Sequence, residues 1–292
     1  MADKVRVRAA AKVNLHLRVY RRRNDGYHGI LSIFQAISLT DSIVIRSLKE
    51  SDTIEIDGNF DCPTRQTTVY KAVLAYRETT GTRTGLSISV EKRIPAGAGL
   101  GGGSSDAAAV LVGLEAVLRG GLKLGAAQGL GAQIGSDVPF FLTGGAAIVS
   151  GRGEEVSPLE ARVDYLLVLA FPGLAVPTGW AYSLLDGERP DDSAEPDPGR
   201  EELAAAYGGD IRRWPFANSF EGPIGRARSE IPRVKELLAG SGASFAAMSG
   251  SGNAIFGVFE DEPAAMVAAA RLRDAGFDAC VSSPLARCSA LD

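Results

Sequence analysis

Between Pro95 and Asp106 the chain reads Pro-Ala-Gly-Ala-Gly-Leu-Gly-Gly-Gly-Ser-Ser-Asp, and no other stretch restricts the fold as strongly. Glycines at this density let the backbone take positive φ and come close to a ligand, so that several N–H groups can converge on one anion. The run before it, Leu86-Ser87-Ile88-Ser89-Val90-Glu91, has the period-two alternation of a strand and leads into a turn at Ile94-Pro95-Ala96-Gly97. The run after it, from Asp106 to Arg119, is almost entirely Ala, Val and Leu with Glu115 the main polar exception, and reads as a helix buried on most sides. Strand, glycine loop and helix thus follow in order, and the helix N-terminus adds its own free N–H groups and positive dipole end. The expected guest is a phosphate. Gly102 is expected at positive φ with its backbone facing that phosphate. The loop lacks the closing Gly-Lys-Ser/Thr of a Walker motif, and no acidic residue follows ~20 positions on after a second strand, as a dinucleotide fingerprint requires. The plain structural alternative is a glycine turn in which Ser105 or Asp106 caps the helix. Ser104 and Ser105 suit either phosphate and Mg²⁺ contact or capping.

The rest of the chain predicts an α+β protein. Its first ~60 residues read as strands, with Val5 and Val7 alternating with basic residues and Thr53-Ile54-Glu55-Ile56-Asp57 keeping the period of two. Residues 186–200, with three prolines and no apolar period from Glu188 to Pro198, read as a surface loop or linker. Beyond it, the runs Phe245–Met248 and Ala254–Phe259 around a glycine turn, a helix near Pro263–Ala275 and a strand near Ala279–Ser282 make a β-loop-β-α-β order.

Three further places carry candidate chemistry. Lys12 and Asn14 stand two residues apart in an apolar setting, hence on one face of an extended segment. A buried lysine requires an anionic partner, whereas an edge-strand lysine can snorkel to water. Asn24-Asp25-Gly26 reads as a hairpin turn, after which Tyr27 and His28 offer an aromatic face and a ring nitrogen suited to a nucleobase. Asp137, in Gly135-Ser136-Asp137-Val138-Pro139-Phe140-Phe141, is either a general base for an alcohol or a helix cap.

Composition narrows the classes. With 45% hydrophobic and 23% charged residues over 292 positions, the chain can bury a large core, and a net charge of -4 argues against a general binder of nucleic acid. Arg21-Arg22-Arg23 accordingly reads as a solvated face. The N-terminus lacks a signal peptide's apolar stretch, and no segment reaches the roughly 18 apolar residues of a membrane span. Cys62, Cys280 and Cys288 are odd in number with no C-x-x-C pair, so neither a disulfide framework nor a zinc site is expected, and a cytoplasmic setting is.

Taken in order, Lys12-x-Asn14, Asp25-Gly26-Tyr27-His28, Pro95 to Asp106, Asp137-Val138-Pro139-Phe140, Gly151-Arg152-Gly153-Glu154 and Met248-Ser249-Gly250-Ser251-Gly252 resemble the diphosphocytidyl-methylerythritol kinases from end to end. The glycine loop is shared by the whole GHMP kinase superfamily, including homoserine and mevalonate kinases. Asp-Gly-Tyr-His and Ser-Asp-Val-Pro-Phe-Phe point to the cytidyl-linked acceptor. The resemblance implies a two-domain fold, an N-terminal unit over 1–158 and a C-terminal unit over 159–292, with the active site in the cleft between them. It implies phosphoryl transfer from ATP, with Mg²⁺, to a small alcohol, by a protein that is a monomer or homodimer. By the same resemblance Asp137 is the base and Lys12 the cation that polarises the hydroxyl and steadies the γ-phosphate. Pro95, Ala96, Gly97, Ala98, Gly99, Leu100, Gly101, Gly102, Gly103, Ser104 and Ser105 cradle ATP, while Asn14, Tyr27, His28 and Tyr182 hold the cytidine. Thr67-Thr68 replaces a common Asn-Leu, and Asp106 stands where some members have Asn, which leaves the adenine contacts open.

Overall fold

The computed structural model describes residues 3–48, 51–188 and 198–291. Two long strands open the chain, β1 (Lys4–Arg22) and β2 (His28–Leu48), joined by the expected tight turn, where Gly26 takes φ +86°. Then come β3 (Ile54–Gly58), α1 (Thr68–Thr80) and β4 (Gly85–Glu91), followed by the glycine loop and α2 (Gly102–Leu118). Next are α3 (Leu124–Ile134), α4 (Val138–Thr143), β5 (Ala146–Gly151), β6 (Glu155–Leu159) and β7 (Leu166–Phe171). The remainder holds α5 (Thr178–Glu188), α6 (Arg200–Gly208), α7 (Glu221–Ala227), α8 (Glu230–Ala239), β8 (Phe245–Met248), β9 (Ile255–Phe259), α9 (Glu262–Asp274), β10 (Asp278–Ser282) and β11 (Ser289–Leu291).

The strands form two sheets. One runs β11-β1-β2-β4-β3, with β5 and β6 added along the far half of β2; the other runs β10-β7-β9-β8. Pairing is antiparallel except for β3 with β4. Near its start β1 alternates exposed and buried residues, then from Ala9 to Leu17 every residue is buried, because both of its faces are covered there. Its pairing with β2 slips between Ala10 and Ala11 and again between Asn14 and His16, so Lys12 and Asn14 lie on a short stretch between two irregularities. The apolar α2 packs across β1 and β2 and against α1, which explains why its sequence has no polar face. The predicted C-terminal order is present. Of the predicted linker, residues 189–197 lie outside the described residues, while Asp186–Glu188 end α5 and Arg200 begins α6. Among the described residues no helix is long and apolar enough to cross a membrane.

Candidate active site

The glycine loop connects β4 to α2 and bounds a cleft of about 630 Å³. Residues 94–104 form one wall, with Lys92 and Asp106 at its base, and Asn59–Cys62 with Gln66–Val69 form the other. Gly97, Gly99 and Gly101 take φ of +67°, +83° and +73°, the left-handed region that a side chain disfavours. Gly102 does not. It is the first residue of α2, which begins four residues earlier than its apolar pattern shows, so Gly102, Gly103, Ser104 and Ser105 form the first helical turn rather than free loop. The expectation of positive φ at Gly102 is therefore corrected: that requirement falls on Gly99 and Gly101. Gly101 is the N-cap, and no side chain caps this helix, so the seryl capping alternative does not hold. Ser105 is buried, and its Oγ has no hydrogen-bond partner.

A second glycine turn, between β8 and β9, backs the loop. A Cβ on Gly99 would sit 2.0 Å from the Ser249 carbonyl oxygen, so the two backbones touch where only glycine fits. Ser249 Oγ donates to the Gly99 carbonyl (3.0 Å) and accepts from the Asn14 N–H (3.2 Å), and Asn218 Nδ2 donates to the carbonyls of Met248 (2.7 Å) and Gly250 (2.8 Å).

Lys12 is buried at the centre of this arrangement. Its Nζ donates to Asn14 Oδ1 and to the Gly99 carbonyl (2.8 Å), lies 4.7 Å above the Phe34 ring, and stands 4.0 Å from Asp137 Oδ2. Burial lowers its proton affinity, and the Asp137 charge works the other way. The snorkelling alternative is excluded, since Lys12 belongs to a central strand at 3% exposure. Asn14 is fixed in turn, with Nδ2 donating to Ser32 Oγ (2.9 Å). Asp137 precedes α4 and makes no capping bond, and its carboxylate, 29% exposed, stands beside Lys12.

On the far side of Asp137, the turn after β1 and the start of α5 meet. The His28 and Tyr182 rings lie 4.8 Å apart at 32°, and Phe220 meets Tyr182 edge-on at 4.9 Å. His28 Nδ1 is 2.8 Å from the Tyr20 carbonyl and Nε2 is 3.4 Å from Asp186 Oδ2. Burial first, then the carboxylates of Asp137 and Asp186, push the Tyr182 phenol pKa up, which places both acids in its surroundings. Tyr27 is not part of this pair: it is 57% exposed and lies under the Arg152 guanidinium at 5.1 Å.

The structure joins Lys92 and Asp41, which carry no signal in the sequence, to Asp106. Lys92 Nζ lies 2.5 Å from Asp41 Oδ2 and 2.6 Å from Asp106 Oδ2, and Asp41 Oδ1 accepts from the backbone N–H of Arg93 and Ile94. These three residues clamp the entrance of the glycine loop to its exit. Burial, then the Asp41 carboxylate, raises the Asp106 pKa to about 7 against the opposing pull of Lys92. In sequence, Lys92 looks like part of a solvated strand end and Asp41 like a turn residue; their ion pair joins positions 51 apart, and it buries Asp41 while Glu91 and Arg93 stay exposed. Thr67 and Thr68 border the same cleft but are engaged internally, Thr67 Oγ1 capping α1 at the Tyr70 N–H (3.1 Å) and Thr68 Oγ1 donating to the Gly103 carbonyl (2.5 Å).

Comparison with known proteins identifies the family. The GHMP kinases N terminal domain model matches residues 67–145, and the GHMP kinases C terminal model matches residues 203–278. A Treponema pallidum protein named 4-diphosphocytidyl-2-C-methyl-D-erythritol kinase is 40% identical over 262 residues, covering 88% of this chain and 90% of its own. One of the same name from Thermus thermophilus is 41% identical over 265 residues, covering 91% of each. A crystal structure of 4-(cytidine 5'-diphospho)-2C-methyl-D-erythritol kinase superposes with a TM-score of 0.83 at 39% identity, over 96% of this chain and 99% of that one. A homoserine kinase from Cytophaga hutchinsonii, at 20% identity and a TM-score of 0.80, shares the fold. The chain belongs to the GHMP kinases and, within them, to the 4-diphosphocytidyl-2-C-methyl-D-erythritol kinases.

Proposed function

We propose that this protein transfers the γ-phosphoryl group of ATP to the 2-hydroxyl of 4-diphosphocytidyl-2-C-methyl-D-erythritol, giving the 2-phosphate and ADP, in the non-mevalonate route to isoprenoid precursors. The observation that carries this reading is the Lys12–Asp137 pair, 4.0 Å apart, set between the glycine-loop cleft and the His28–Tyr182 ring pair. ATP occupies the cleft, with its phosphates on the N–H groups of residues 97–105. The cytosine takes the aromatic side, held by His28, Tyr182 and Tyr27. Asp137 accepts the hydroxyl proton as the oxygen attacks, and Lys12, held by Asn14, the Gly99 carbonyl and the ring of Phe34, offsets the charge on the transferring group. Such a transfer is limited by positioning and charge stabilisation, which a buried cation and a pinned loop supply.

Bound Mg²⁺ supplies charge neutralisation to the triphosphate. No group of three or more His, Cys, Asp or Glu among the described residues could cage a metal, so the ion would be carried mainly by the nucleotide, with Ser104 and the unpartnered Ser105 hydroxyl as the protein donors at the loop. The protein would act in the cytoplasm as a monomer or homodimer.

The test is an ATP-dependent kinase assay over the cytidyl-linked substrate, free methylerythritol phosphate, homoserine and mevalonate. Turnover restricted to the first supports the reading; equal turnover of homoserine or mevalonate would leave a GHMP kinase with a different acceptor.

A further inference from the structure

Among the described residues β8 is the last strand of its sheet, so the backbone groups along its free edge need partners from outside the sheet. At Met248, where β8 runs into the second glycine turn, the segment that opens α7 supplies both kinds. Glu221, the first residue of α7, accepts the Met248 N–H through Oε2 (2.9 Å). Asn218 Nδ2 donates to the Met248 carbonyl (2.7 Å) and to that of Gly250 (2.8 Å), and Asn218 Oδ1 accepts the Phe220 N–H (2.9 Å), which fixes the amide in turn. Resting on the proposed transfer from ATP, we infer that Glu221 is a positioning residue for it: by holding Met248, it sets where the glycine turn meets the nucleotide loop and so how Lys12 is presented to the transferring group.

The path from Glu221 to Lys12 is short and closely packed. One residue after Met248, Ser249 Oγ donates to the Gly99 carbonyl (3.0 Å), the same oxygen that takes Lys12 Nζ (2.8 Å). The Ala254 N–H donates to the Ala98 carbonyl (3.0 Å), and a Cβ on Gly252 would lie 2.2 Å from the Ala98 carbonyl carbon, so the turn and the loop leave no gap between them. A shift of Met248 is therefore passed to Gly99 rather than absorbed. On its outer side Glu221 opens onto a hollow of about 440 Å³ between α7 and α8, lined also by Ile231, Pro232 and Lys235, and Lys235 Nζ pairs with Glu221 Oε1. One carboxylate oxygen thus serves the ion pair and the other the backbone of the turn, and substitution can separate the two roles.

A non-hydrolysable ATP analogue is titrated calorimetrically into the full chain and its Glu221→Leu, Glu221→Gln and Lys235→Met variants, and the kinase reaction of each is followed with the cytidyl-linked substrate. Glu221→Leu leaves the Met248 N–H without its acceptor and should bind the analogue about ten-fold more weakly, the low end of what one unpaired buried N–H costs. Its kcat should fall as well, while KM for the cytidyl-linked substrate stays within about two-fold of the parent. Glu221→Gln keeps an oxygen facing Met248 and should recover most of the loss, and Lys235→Met breaks only the ion pair and should bind and turn over like the parent. A purely structural role would instead lower the melting temperature of all three and leave their kinetic constants alike. Glu221→Ala, which merely enlarges the hollow, takes the place of Glu221→Leu if that variant does not fold. Parent-like affinity and kcat in the truncated variant, or an equal loss in Lys235→Met, overturns the positioning role and leaves the ATP reading intact. A parent that binds no ATP analogue overturns that reading and this inference with it; one that binds the analogue without phosphorylating the cytidyl-linked substrate overturns the acceptor alone, and the analogue titrations still decide the role of Glu221.

Discussion

The position of a single lysine carries much of the proposed chemistry. Lys12 is surrounded by groups that orient it, Asn14 Oδ1, the Gly99 carbonyl and the Phe34 ring, and by one carboxylate that can exchange a proton with substrate. Asp137→Asn keeps the shape and loses the base, so turnover should fall by about a hundred- to ten-thousand-fold with an unchanged melting temperature; a loss of only a few-fold would remove Asp137 from the mechanism. Because burial holds the Lys12 pKa below its ordinary 10.5, and the transfer needs the charged form, kcat/KM should decline as pH rises through that lowered value. Lys12→Met should abolish this alkaline limb along with most of kcat, and a limb that persists in the variant belongs to another group. Lys12, Asn14 and Asp137 stood out as candidates by residue type and spacing, and the roles proposed for them came from the family resemblance. That the lysine sits in a central strand, and that Asp137 is not consumed as a cap, follows only from how β1, the loop and α4 converge.

Among the elements, the glycine loop owes its shape to what touches it. Gly99→Ala would push a methyl group toward the Ser249 carbonyl at 2.0 Å from a residue at φ +83°, whereas Gly102→Ala places one in a helical residue 3.0 Å from the Cγ2 methyl of Ile94. The first should raise KM for ATP at least tenfold and destabilise by more than the ~1–2 kcal/mol of left-handed strain alone; the second should cost far less. Nucleotide titration and urea unfolding of both variants would expose a reversed order. The Lys92–Asp41–Asp106 clamp carries a pH signature. Asp106 ionises at about 7 in the fold against 3.8 ordinarily, so the folded state holds a proton that the unfolded chain has released. The stability this gives is complete below 3.8 and is lost as pH rises through 7. Asp106→Asn removes that loss, and the unfolding free energy of the variant relative to the parent should improve between pH 5 and pH 8. Parallel profiles would refute the shift.

For the molecule as a whole, the chain folds back on itself. After the second sheet is complete, β11 returns to pair with β1 at Val7–Ala9, Leu17 bridges Asn218, and Ile37 bridges Pro284. Each hydrophobic core mixes residues of both halves, Val7 and Phe34 with Val168 and Phe259 in one, Val13 and Ile33 with Leu167 and Phe256 in the other. The proposed division at 158/159 therefore separates sheets that share their cores. A 1–158 fragment should expose the face that the second sheet covers and leave β1 without its β11 partner, and so should bind a hydrophobic dye and unfold without a cooperative transition. A sharp two-state unfolding curve for the fragment would contradict this. What the amino-acid order determined by itself was local: alternation for the strands, apolar content for α2, glycine density for the loop, and the identities of Lys12, Asn14 and Asp137, because backbone preference and side-chain chemistry act over a few residues. What only the tertiary structure decided was which distant groups meet. The contacts of Gly99 with Ser249, His28 with Tyr182, Lys92 with Asp41 and Asp106, and Arg152 with Tyr27 join residues 14 to 154 positions apart, and their energies arise from burial and close approach that exist only once both sheets have packed.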